Sequence, residues 1–161
     1  MLQQLSSESR VWIFQADRFL AEDEVNFIRK QLSEFIPQWA THGKGLYGGF
    51  EVLHDLFIIV GVDESRMPPS GCSIDSMMHR IQQIAKELNV DFLNRLNTAY
   101  IGEDQQIHLA NQQEFKQLLR DHRIGENTLV FNNLIQTKSE LMTKWKTSVN
   151  NSWHKNLLEL V

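Results

Sequence analysis

The 161-residue chain is 42% hydrophobic and 22% charged, carries a formal net charge of -4 and holds a single cysteine. Its length suits one globular domain that buries about 70% of its unfolded surface, and its acidic balance argues against a nucleic-acid binder, which needs a basic face. One cysteine excludes an internal disulfide or thiolate metal cluster, and the longest apolar run, 56–62, is far short of the ~20 residues of a membrane-spanning helix.

Residues 1–9 are polar, lack the basic and apolar regions of a secretion signal, and are expected to fray. Arg10 to Ala16, β-branched and aromatic, reads as a first strand. The acidic turn Glu22-Asp23-Glu24 suits the positive end of a helix, and Val25, Ile28, Leu32, Phe35, Ile36 and Trp39 follow on one apolar face. Pro37 ends or kinks that helix near Ile36. The segment 41–49 carries half of the eight glycines and reads as a loop, with a bulge or close backbone approach at Gly48-Gly49.

Two strands, 50–54 and 56–63, follow around a turn at His54-Asp55. Beyond Pro68-Pro69 a helix runs to Leu88, with Met77, Ile81 and Ile84 on one face. A hairpin follows at 98–101 and 106–109. Asn111 with Glu114 starts a short helix to His122, and 128–135 is a further strand. Thr137 to Glu140 forms a capping box, and 152–161 reads as a final helix. The first six elements give an α+β fold: an antiparallel sheet with helices on one face, in the ferredoxin-like order βαββαβ, with a C-terminal βαβα extension.

The stretch Ser70-Gly71-Cys72-Ser73-Ile74-Asp75 offers the most chemistry. With Ser70 as the cap, Cys72 sits at the second helical position, where the dipole favours a thiolate, and His108 could act as its base in a thiol hydrolase or transferase. With Ser73 as the cap, Cys72 is a packing residue before the helix. The same backbone could hold an anion through Ser70, Gly71 and Ser73, with Asp75, His42, Lys44 and Asp63 completing a ligand site. A lower alternative uses Asp63, Asp75 and a histidine such as His79 to hold a divalent metal. His54, His122 and His154 read as turn or surface residues, and Asn132-Asn133, if buried, as amides lining a pocket or pairing across an edge.

Lys44 lies in no phosphate-binding loop, because Gly45 follows it and the segment leads into a strand. Four fragments, Val11 to Ala16, Gln38 to Gly43, Ser70 to Asp75, and Phe131 to Leu134 with Thr137 to Glu140, resemble an uncharacterised bacterial family of about this length. That family is sometimes labelled "ABC transporter ATPase". The resemblance implies no activity, cofactor or catalytic residue, and without a Walker motif the label does not suit this chain. The expectation is a cytoplasmic ligand-binding or interaction protein with a small-molecule or protein partner and no cofactor.

Overall fold

Sequence periodicity becomes two compact units in the computed structural model, which describes residues 1–161. One unit comprises Met1–Leu93 with Gln136–Ser139, the other Asn94–Ile135 with Glu140–Val161. No helix is long and apolar enough to cross a membrane.

The first unit is built on an antiparallel sheet of β1 (Arg10–Gln15), β4 (Gly48–Leu53) and β5 (Phe57–Val62), in the order β1-β5-β4. β5 is buried at every residue, as its unbroken apolar sequence demands of a central strand. His54 and Asp55, both at positive φ (58° and 50°), make the tight turn from β4. The Leu56 N–H closes that turn on the Leu53 carbonyl at 3.1 Å. Between β1 and β4 lie α1 (Glu22–Phe35), a 3-10 turn over Ile36–Gln38, and a small hairpin of β2 (Ala40–Thr41) and β3 (Lys44–Gly45). The expected loop at 41–49 is therefore partly a hairpin, turned by His42 (φ 48°) and Gly43 (φ 76°).

α2 (Gly71–Leu88) packs on α1, and Arg80 donates to Gln31 at 3.0 Å. At the start of α1, Ala21 offers no capping side chain. Glu24 instead accepts the Ala21 N–H at 2.8 Å and two bonds from Arg18. The bonds from Arg18 and Ala21 hold the Glu24 pKa down at about 2. Arg18 also donates to the Leu88 carbonyl at 3.0 Å, linking the start of α1 to the end of α2.

Within residues 1–9, Leu2–Gln4 form a 3-10 turn that packs on β4. Leu2 is 2% exposed, because Gly49 and Gly61 face each other across β4 and β5 and leave room for it. A Cβ on Gly49 would sit 2.9 Å from the Leu2 nitrogen, and one on Gly61 2.5 Å from a Leu2 methyl. Lys138 donates from Nζ to the Gln3 and Leu5 carbonyls and fastens the segment further.

The second unit holds a four-stranded antiparallel sheet in the order β7-β6-β8-β9, from β6 (Asn97–Ile101), β7 (Ile107–Asn111), β8 (Leu129–Phe131) and β9 (Lys146–Ser148). α3 (Gln112–Arg120) starts at the expected capping box, Asn111 and Glu114 each accepting the other's N–H at 2.9 Å. Phe115, Leu119, Val130, Val149 and Leu157 form the core there. α4 (Lys138–Thr143) follows Thr137, and α5 is only Lys155–Leu158 rather than a helix over 152–161.

The α+β class is as expected, but the ferredoxin-like sheet is not completed. The fourth strand that would flank β1 is β6, which forms the expected hairpin with β7 and pairs on its other side with β8 rather than with β1. The outer edge of β1 takes a single bridge, Arg10 to Thr137, with the Val11 N–H donating to Gln136 at 2.9 Å.

His154 is not a surface residue: it is 1% exposed, stacks on Trp153 at 3.9 Å and sets Nδ1 2.7 Å from Ser152 Oγ. Burial pushes its pKa down from 6.5 to about 4. Unfolding lets the ring protonate, so its contribution is complete above pH 6.5 and is lost as pH falls through about 4, a change of about 3 kcal/mol. Urea unfolding across that window should show this loss in the parent and lose that part of the slope in His154→Phe. An unchanged slope would contradict a buried neutral imidazole.

Candidate functional site

Ser70 is the N-cap of α2, which resolves the two readings of Cys72. Ser70 Oγ accepts the Ser73 N–H at 3.2 Å, and Ser73 Oγ accepts the Ser70 N–H at 2.7 Å. The hydroxyls expected to greet an anion thus satisfy the helix end reciprocally. Gly71, Cys72 and Asp75 are exposed on the first turns, and Ser73 is buried. Its carbonyl accepts the Trp39 indole N–H at 2.8 Å.

His108 belongs to β7 in the second unit, whereas Cys72 belongs to the first. Its Nε2 lies 2.9 Å from both carboxylate oxygens of Asp104, and Tyr100 stacks on its ring at 5.5 Å. The bond from His108 holds the Asp104 carboxyl below its usual range. The pair closes the β6–β7 turn.

Asp63 is only 8% exposed and accepts from the Ser65 hydroxyl at 2.6 Å and the Ser65 N–H at 3.1 Å. The Ser65 hydroxyl chiefly holds its carboxyl below the usual range. The Asp63 N–H donates to Tyr47 at 2.9 Å, and the Arg66 guanidinium lies 3.8 Å over the Tyr47 ring. The structure thus brings Asp63 beside the 42–47 hairpin, but the carboxylate serves the turn after β5. His42 and Lys44 are exposed on that hairpin. His79 engages Gln83 at 3.2 Å, and no group of three or more His, Cys, Asp or Glu side chains is placed to hold a metal ion. Asn132 and Asn133 serve structure as well. Asn132 Oδ1 accepts the Leu134 N–H at 3.2 Å, and Asn133 Oδ1 accepts the Trp145 indole N–H at 2.9 Å.

Elsewhere in the first unit a cavity of about 570 Å³ is lined by Gly49 to Leu53 of β4 and by Arg29, Ser33, Ile36 and Pro37, with Met1. Five consecutive strand residues line it. A pocket on one sheet face would meet alternate residues only, so this one runs along the edge of the strand. β4 is an edge strand, and α1 with its 3-10 extension forms the opposite wall. The volume lies within the range of small-molecule sites. Arg29 and Glu51 put one charge of each sign on the groove, and neither belongs to any ion pair.

Sequence reasoning missed this groove because its walls are ordinary helix and strand positions. The one visible signal was Gly48-Gly49 at the start of β4. There a Cβ on Gly48 would lie 2.9 Å from the Trp39 ring, so the helix end can settle against the strand. No protein-family model, curated protein or solved structure matches the chain.

These placements separate structural from reactive roles at the start of α2. Ser70→Ala should lower stability by about 1 kcal/mol through the lost cap. Cys72→Ala, at an exposed thiol, should stay within about 0.5 kcal/mol. Urea unfolding of both variants checks this, and an unaffected Ser70→Ala would contradict the cap.

Proposed function

We propose that this chain is a binding protein whose ligand occupies the groove between the β4 edge and α1. The observation that carries the reading is the lining itself, a half-buried apolar strand facing a helix wall with Arg29 and Glu51 unpaired on it. Few polar groups on a largely apolar concave surface are the usual marks of a ligand site. The small-molecule or protein partner, expected from the sequence at the 70–75 helix start and the 42–47 loop, is proposed here to occupy this groove instead. The start of α2 supports a ligand less well, since its hydroxyls cap each other. The acidic, single-cysteine composition supports a cytoplasmic setting. The resemblance to the uncharacterised family adds no residue to this reading.

A library of small organic fragments, screened by NMR on the labelled full chain, tests it. Binders should shift the amides of residues 50–53 and of Ser33 and Ile36. Ser33 is exposed on α1, so Ser33→Trp should fill the groove, leave the melting temperature unchanged and weaken those binders at least roughly tenfold. Binders that map to residues 70–75, or a screen without binders, would overturn the reading.

A further inference from the structure

We propose that the groove receives an extended polypeptide segment, which adds to the first unit's sheet as a strand beside β4. This rests on the groove being the ligand site and names what enters it.

Backbone orientation decides which polar groups of β4 face the groove. In an antiparallel pair, successive residues turn their N–H and C=O alternately toward and away from the partner strand. On β1 the Val11 N–H points outward, to Gln136, so Arg10, Trp12 and Phe14 are the residues that bond β5, opposite Val62, Val60 and Ile58. The intervening residues of β5, Gly61, Ile59 and Phe57, then bond β4 through Gly49, Glu51 and Leu53. The Asp63 N–H to Tyr47 carbonyl bond continues the same series beyond the strand ends.

Of the remaining β4 residues, Gly48, Phe50 and Val52, only Phe50 and Val52 line the groove. Their N–H and C=O groups point away from β5, into the groove, and no backbone bond outside the ladder reaches them. A half-buried strand with two donors and two acceptors facing a cleft is a template for another strand. A small apolar ligand would leave those groups desolvated and unpaired, which disfavours it. An extended peptide satisfies all four.

The walls state the chemistry of the segment. Ile36, Pro37, Phe50, Val52 and Leu53 call for apolar side chains at alternate positions, Arg29 for an acidic residue and Glu51 for a basic one. A second copy of this chain suits the groove less well. Antiparallel self-pairing that sets Phe50 against Val52 also sets Glu51 directly opposite its own copy, which is destabilising.

The probe is a display library of random linear decapeptides selected on the full chain. Enriched peptides should alternate apolar residues with at least one acidic side chain. N-methylation at the alternate amides that face β4, with the other set as control, should weaken them at least roughly tenfold. Ser33→Trp should do the same while melting like the parent. Arg29→Glu should lower affinity for the acidic peptides. No enrichment, or affinity indifferent to N-methylation, overturns the strand proposal. If organic fragments still shift residues 50–53, the groove reading survives that failure; if they do not, both fall. A concentration-dependent dimer by sedimentation that Ser33→Trp abolishes would overturn the proposal in favour of a second copy.

Discussion

Trp39 fixes the geometry on which the first unit depends. It is 1% exposed and lies where the 3-10 turn after α1 runs into the β2–β3 hairpin. Its ring meets Trp12 edge-on at 6.1 Å and Phe35 at 5.7 Å. Its indole N–H satisfies the Ser73 carbonyl in α2, and its own carbonyl accepts the Leu46 N–H. One side chain therefore joins β1, the end of α1 and the start of α2, and it rests on Gly48, the first residue of β4. Because Trp39 holds the end of α1 beside that strand, the wall of the groove is in place before any ligand arrives. A larger residue at Gly48 would meet the ring at 2.9 Å and force the two apart.

Much of this architecture was legible because local chemistry and tertiary demand agree. The unbroken apolar run of β5, the α1 face from Val25 to Phe35, the His54-Asp55 turn and the Asn111–Glu114 box all form where their residues predict. The differences each have their own physical cause. The hairpin expected at 98–101 and 106–109 forms as β6 and β7, but alternation cannot name the sheet a strand joins, and β6 pairs onward with β8 rather than with β1. The segment 128–135 has the apolar content of a long strand. Asn132 turns it early by accepting the Leu134 N–H. The tail 152–161 lacks a cap, and it is held instead by Ser152, His154 and the burial of Leu157.

The candidate site was less legible than the fold. Cys72, His108 and Asp63 drew attention as reactive residue types, yet each except the exposed thiol is engaged locally: His108 with Asp104, Asp63 with Ser65. Sequence reports which side chains could react and says little about which backbone groups remain unpaired. The β4 edge is a property of register and strand order, and neither can be read from a residue list.

Amide hydrogen exchange along β4 in the isolated full chain tests the open edge most directly. The account predicts alternation, with slow exchange at Gly49, Glu51 and Leu53 and exchange faster by an order of magnitude or more at Phe50 and Val52. Uniform protection across all five amides would mean that the outer edge is already paired, and would contradict the groove as a place for an added strand.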